Sequence, residues 1–378
     1  MNRFEVHGGQ VYQWAKQLGR PVETLLDFSA SLNPLGPPAS VVRAMRDAVK
    51  ECQHYPDPYS EDLRRCLAHE HGIPEESILV GNGSAEIIRV LPKALGLRHA
   101  CIVGPTFGEF ENSLRLAGVR CTGVNAVSAQ RYAPPREKLY SVLEEWRVDS
   151  AGKGRKAEIH KKAVFLCHPN SPTGRRLSRS DLRQIVRTVH QCGCWIIVDE
   201  AFIDWCPSYS LMKEIARFPQ LLILRSFTKF FAIPGIRLGY VVGEPAVVES
   251  LRTYLPPWSV NHVAQAAGVA ALADSRFRQR SQQFMQQEQP RFIAQLRKIS
   301  GVRVIPSQAS FVMLEVPGGC CTQDIVERLQ AQGILVRDCQ SFSGVTRPAL
   351  RIAVRLARDN KRLLKGLTEI LQVSGAKG

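Results

Sequence analysis

The sequence predicts an α/β protein: a large domain with a mainly parallel sheet sandwiched by helices, plus a smaller α+β domain. Short unbroken apolar runs alternate with amphipathic helical patterns from about residue 78 to residue 242. Strands buried on both faces have this appearance, and their alternation with helices marks a parallel sheet whose ligands bind at the C-terminal strand ends. From about residue 261 the pattern changes to two helices followed by short strands and two more helices. At 378 residues the chain is long enough for two lobes. The expected division is an N-terminal arm over 1–40 that contributes to the small domain and the active site, a large domain over 41–260 and a small C-terminal domain over 261–378.

Taken in order, the arm opens on His7-Gly8-Gly9 and continues through Asp27-Phe28-Ser29-Ala30-Ser31-Leu32-Asn33-Pro34-Leu35-Gly36-Pro37-Pro38. Pro and Gly at this density exclude a helix, so 33–38 is an extended arm or turn. Its Ser, Asn and His side chains suit a pocket, or else satisfy the turn's own backbone. Helices over 38–51 and 60–71 flank His54-Tyr55-Pro56-Asp57-Pro58. A strand at 78–81, a turn at 82–85 and a helix at 86–95 together form an anion site, because free N–H groups and the positive helix end face the turn. It is not a dinucleotide fingerprint, since Glu86 occupies the third glycine position.

Strands at 100–103 and 119–124 enclose a helix at 107–117. A helix at 137–146 interrupts an otherwise loop-like stretch from 128 to 162. Next come a strand at 163–167, a helix at 178–191 and strands at 194–198, 221–224 and 237–242. The last third predicts helices at 261–273 and 276–299, strands at 302–305, 310–314, 334–336 and 350–354, and covering helices at 322–332 and 360–373.

Composition removes several function classes. The net charge of +16 and pI near 9.6 would suit a nucleic-acid partner, but the basic residues are dispersed and no helix-turn-helix, RNP-like or zinc-finger pattern is present. The densest basic run, 152–162, reads as a solvated loop, and the charge as a general attraction for anionic substrates. Eleven cysteines without a C-x-x-C pair point to reduced thiols and no metal site. No signal peptide or membrane span is predicted, which gives a cytoplasmic expectation.

Five strand ends carry chemistry. Ser226-Phe-Thr-Lys229, with Arg237 eight residues further on, lies between two strands. A hydroxyl and a guanidinium suit a phosphate, and a lysine amine suits a Schiff base with an aldehyde. Asp199 ends the apolar strand Trp195-Ile-Ile-Val, where a carboxylate needs a cationic or donor partner or else caps a helix. The prolines of His168-Pro-Asn170-Ser-Pro-Thr-Gly174 turn an amide outward, and Phe107 of Gly104-Pro-Thr-Phe offers an aromatic face. Gly81-Asn-Gly-Ser84-Ala85 supplies the anion turn.

These motifs together resemble the fold type I pyridoxal-phosphate enzymes of the class I/II aminotransferase superfamily. The resemblance implies pyridoxal 5'-phosphate attached to Lys229, its ring nitrogen on Asp199, its phenolic oxygen on Asn170, its ring against Phe107 and its phosphate on Ser84, Ala85, Ser226 and Arg237. It also implies a homodimer with shared active sites, Tyr55 reaching the partner's cofactor phosphate. Arg351 matches the carboxylate-binding arginine, and Arg337 an arginine that close relatives use for a phosphorylated substrate. One departure is Phe202, which replaces a tyrosine found in many aminotransferases.

His7-Gly-Gly, the 27–36 arm, Asp199-Glu-Ala-Phe-Ile-Asp204 and Pro257-Trp-Ser-Val-Asn261 are similar to the threonine-phosphate decarboxylase family of cobalamin biosynthesis. That resemblance implies decarboxylation of L-threonine O-3-phosphate, a small phosphorylated amino acid, with His7, Ser29, Asn33, Arg337 and Arg351 as substrate ligands. The alternatives are a histidinol-phosphate aminotransferase and a phosphoserine decarboxylase. A regulatory protein that merely retains the fold would need a DNA-binding module, and none is seen.

Overall fold

The structure, a computed structural model, describes residues 7–149 and 160–375, so most of the predicted basic loop at 152–162 lies outside the described residues. Strands are β1 (Leu26–Asp27), β2 (Ile78–Gly81), β3 (His99–Gly104), β4 (Arg120–Asn125), β5 (Lys162–Cys167), β6 (Trp195–Asp199), β7 (Leu221–Ser226) and β8 (Gly239–Val242). The last third adds β9 (Arg303–Val304), β10 (Phe311–Glu315), β11 (Ile334–Leu335), β12 (Arg337–Asp338) and β13 (Ala349–Ala353).

Seven strands form one sheet in the order β2-β8-β7-β6-β5-β3-β4. The pairs from β7 to β4 are parallel, whereas β8 runs antiparallel to both its neighbours. A parallel return needs a crossover of about a dozen residues or more, usually built around a helix. Between β7 and β8 lie only the four-residue helix Phe227–Phe230 and the 3₁₀ turn Pro234–Ile236, so the chain doubles back instead.

Successive residues of each strand feed opposite faces. Leu222 and Leu224 join Ile87, Phe110 and Leu251 on one side of the sheet. Leu221 and Ile223 join Leu182, Ile185 and Val189 on the other. Each such fully buried side chain contributes roughly 1.5–3 kcal/mol. The helix Arg179–Gln191 shows why this layer forms where it does. Ser178 caps it by accepting from the Asp181 N–H, and Leu182, Ile185, Val186 and Val189 make one apolar stripe.

A second, antiparallel sheet has the order β12-β13-β10-β9. β1 pairs in parallel with β11, Leu26 opposite Ile334, which ties the arm to the last third of the chain. The helix His262–Ala273, assigned from the sequence to the smaller domain, packs against the helices Ala39–Ala48 and Glu61–His71. The helix after β2 begins at Ser84, two residues earlier than expected, because Gly83 (φ 78°) completes the turn at once. Among the described residues no helix is long and apolar enough to cross a membrane, and no His, Cys, Asp and Glu side chains cluster as a metal site.

Gly239 opens β8 directly beneath that helix start. A Cβ there would lie 2.4 Å from the Ser84 nitrogen and 2.9 Å from the Arg225 carbonyl oxygen. Backbone cannot rotate away, so Gly239→Ala is expected to destabilise the protein by about 1–3 kcal/mol. Chemical denaturation of the variant beside the parent checks this.

Candidate active site

The C-terminal ends of β3, β5, β6 and β7 open into a cavity of about 850 Å³, roofed by the arm and bordered by the β12–β13 loop. Its wall holds Lys229, Asp199, Phe107, Ser226, Arg237, Ser84 and Ala85. His7, Ser29, Arg337 and Arg351 are there as well.

Lys229 lies in the helix Phe227–Phe230, which Ser226 caps by accepting from the Thr228 N–H. The Asn33 N–H donates to the Lys229 carbonyl at 2.9 Å, so the arm fixes the lysine loop. Removal from water, with Arg351 and Arg237 nearby, pushes the Lys229 amine down to about 8, and Asp199 only partly opposes this. Asp199 is buried, its Oδ1 accepting from the Ala201 N–H at 2.9 Å. Desolvation pushes its carboxyl up to about 6, against the Ala201 hydrogen bond and the charge of Lys229.

At one end of the cavity the helix Ser84–Ala94 has no side-chain cap, leaving its first N–H groups for a ligand. Ser226 and Thr228 share a hydroxyl contact of 2.7 Å beside it. The Arg237 guanidinium rests over Gly83, where a Cβ would lie 2.7 Å from Nη2. Arg237 donates to the Pro234 carbonyl and has no carboxylate partner among the described residues. This cup suits a dianionic phosphate.

At the other end, Arg351 and Arg337 face each other across β12 and β13. Arg351 donates to Ser171 Oγ at 2.8 Å and to the Ser29 carbonyl at 2.9 Å, while its buried Nε has no partner. Burial pushes it down to about 10, so it remains a cation at neutral pH. Arg337 is 8% exposed, and among the described residues no carboxylate lies within 4 Å of it. Two such cations call for anionic ligands.

Four expected site residues stand differently. The Asn170 amide does not reach the cavity, since its Nδ2 donates to the Pro105 carbonyl and to Thr173 Oγ1, each at 2.9 Å. The neighbouring Ser171 lines the wall instead. The Asn33 side chain is spent inside the fold, donating to the Phe230 carbonyl and to Ser281 Oγ at 2.8 Å. The Ser29 hydroxyl donates to Asp27 at 2.6 Å and accepts from the Gly9 N–H, folding the arm over the cavity. Tyr55 is 80% exposed and lies against Trp258, the rings tilted with centroids 4.8 Å apart, outside this chain's own cavity. His7 reaches Glu109 Oε1 at 3.1 Å and lies against Phe107. Phe202 lines the cavity and packs edge-on to Phe311.

The sequence model for aminotransferase class I and II matches residues 23–368. The chain belongs to that family. It is 35% identical to the threonine-phosphate decarboxylase of Salmonella typhimurium over 97% of this chain and 96% of that one. Its fold superposes on the histidinol-phosphate aminotransferase of Clostridium acetobutylicum with a TM-score of 0.83 at 26% identity, covering 92% of this chain and 100% of the other. It also superposes on the histidinol-phosphate aminotransferase of Sinorhizobium meliloti, solved in complex with pyridoxal-5'-phosphate (TM-score 0.80, 20% identity, 96% and 94% covered). Family membership thus includes relatives of two different reactions.

The depressed Lys229 amine gives a direct test. In cofactor-free protein its reaction with an amine-selective reagent should rise with pH through about 8, well below an ordinary lysine. The Asp199 charge raises this value, so Asp199→Asn should move the midpoint lower still. Peptide mass spectrometry across a pH series reads both, and a midpoint near that of surface lysines would refute the assignment.

Proposed function

We propose that this protein is a pyridoxal-phosphate-dependent decarboxylase that converts L-threonine O-3-phosphate to (R)-1-amino-2-propanol O-2-phosphate and CO2, a step of cobalamin biosynthesis. The observation that carries the reading is the pair Arg337 and Arg351, two cations in the Lys229 cavity with no carboxylate within 4 Å among the described residues. They suit a substrate with two anionic groups, a phosphate and a carboxylate. The similarity to the Salmonella decarboxylase along almost the whole chain supports it.

The residues present fit pyridoxal 5'-phosphate. The uncapped helix start with Ser226, Thr228 and Arg237 would hold its phosphate, Asp199 its ring nitrogen, Phe107 its ring face and Lys229 its aldehyde carbon. When bound, the cofactor supplies a conjugated ring that accepts the electron pair left at Cα.

The protein's own groups then have distinct tasks. Arg337 and Arg351 bind the substrate's anionic groups and orient the bond from Cα to the carboxylate, which fixes the bond that breaks. The arm, latched through His7 and Glu109, limits the entry of water. Lys229, whose amine titrates near 8, is placed to return a proton to Cα once CO2 has left. Phosphoserine is an alternative substrate, since a missing methyl changes binding by only about 1–3 kcal/mol.

Incubation with L-threonine O-3-phosphate is expected to release CO2 without any 2-oxo acid, and Lys229→Ala should lower the rate at least a hundredfold or so. Glutamate formed from histidinol phosphate and 2-oxoglutarate, with no CO2 from either phosphoamino acid, would turn the assignment to the aminotransferase.

The exposed pair of Tyr55 and Trp258 supports a homodimer in which Tyr55 completes the partner's phosphate cup. Mixing Tyr55→Phe chains with Lys229→Ala chains is expected to restore activity in part, because each heterodimer contains one undamaged site. Lack of recovery after demonstrated subunit exchange would count against sharing.

A further inference from the structure

The loop between β12 and β13 enters the cavity wall with Ser341, Phe342 and Ser343, residues to which the sequence assigned no role. Arg337 donates through Nη2 to Ser341 Oγ at 2.6 Å, and its guanidinium lies over the Phe342 ring at 5.1 Å. The adjacent carboxylate is occupied elsewhere, since Asp338 accepts from Thr322 Oγ1 at 3.0 Å and from the Gln340 N–H at 2.9 Å. By accepting from Arg337, the Ser341 hydroxyl keeps its own proton free, and among the described residues nothing accepts it.

The loop is held in shape. The Phe342 N–H donates to the Cys339 carbonyl at 3.0 Å and the Val345 N–H to the Phe342 carbonyl at 3.1 Å. Gly344 (φ 91°) presses on the end of β4, where a Cβ would meet Asn125 Cγ at 2.5 Å. Ser341 and Ser343 therefore enter the cavity wall on a fixed turn.

A carboxylate has two oxygens in one plane, which a guanidinium fork satisfies alone. A phosphoryl group carries three terminal oxygens around a tetrahedral centre, and the third needs a donor outside that plane. We propose that Ser341, held by Arg337 and seconded by Ser343, is the specificity-determining donor for the substrate's phosphate, so that this loop distinguishes a phosphorylated amino acid from its unphosphorylated parent. The assignment rests on the reading of the cavity as a site for a phosphorylated amino acid.

The test follows the cofactor's visible absorption immediately after rapid mixing of the holoenzyme with L-threonine O-3-phosphate and with L-threonine, so that binding is read before turnover. Ser341→Ala is expected to lower the preference for the phosphorylated ligand roughly tenfold, the effect of losing one hydrogen bond to a charged group. Ser341→Thr, which keeps the hydroxyl, should restore it. An unchanged preference, or equal losses for both ligands, would overturn the role of the loop. Wild-type protein that binds L-threonine O-3-phosphate tightly but releases no CO2 would overturn the decarboxylase reading alone, and the affinity ratio of the variants would still decide the loop. Wild-type protein that shows no preference for the phosphorylated ligand would overturn both.

Discussion

Taking an ammonium out of water costs several kcal/mol unless an anion compensates, and around Lys229 the neighbours are mostly cations. Arg351 and Arg237 both disfavour its charge, and Asp199, whose own charge burial disfavours, returns only some of the deficit. A site with this balance is stabilised by anions that the chain does not provide. The surrounding fold has to keep the cations in place without them. It does so through backbone contacts: the Asn33 N–H on the lysine carbonyl, the Ser29 carbonyl on Arg351 and the Pro234 carbonyl on Arg237.

Behind the cavity the same two strands carry the opposite arrangement. Glu200 follows Asp199 and Arg225 precedes Ser226, so the alternation of a strand that turns Asp199 and Ser226 toward the cavity turns their neighbours away. There the charges are paired. Arg225 donates to Glu200 at 3.3 Å and to Asp204 at 2.6 Å, while Glu200 also accepts from Ser210 Oγ and the Leu211 N–H. Breaking one member of such a buried pair typically costs about 3–5 kcal/mol. The ends of β6 and β7 are thus clamped on one face and left electrostatically unsatisfied on the other.

Most of the large sheet could be read from the sequence because its strands are apolar on both faces and bounded by Gly and Pro turns. The places of Lys229, Asp199 and the 82–85 turn on one cavity wall followed from their positions at strand ends. The antiparallel β8 was also within reach, since 227–238 contains too little helix for a crossover, but alternation alone conceals it. In His168-Pro-Asn-Ser-Pro, two neighbouring polar residues each sit beside a proline, and pattern does not reveal which one faces the ligand. That depends on the Pro105 carbonyl, which draws the Asn170 amide to the outside. The Asn33 contacts were hidden for a similar reason, because its partners Phe230 and Ser281 lie about 200 residues or more away in the chain. The sequence assigned the Ser341 loop no role, because only the pairing of β12 with β13 sets Arg337 opposite Arg351.

The choice of cation follows from how each responds to the same surroundings. Burial lowers both Arg351 and Lys229, yet the arginine starts high enough to remain charged at about 10, whereas the lysine reaches about 8 and is partly neutral near neutral pH. An arginine in the place of Lys229 would stay protonated and hold an anion, but could not offer a free amine to a carbonyl carbon. A lysine in the place of Arg351 would lose charge through desolvation and lack the fork that reaches Ser171 and the Ser29 carbonyl at once. The cavity therefore separates two functions within one positive field. Planar, persistently charged groups suit anions, and Lys229 is a cation whose charge the same surroundings disfavour enough to leave a free amine within reach of neutral pH.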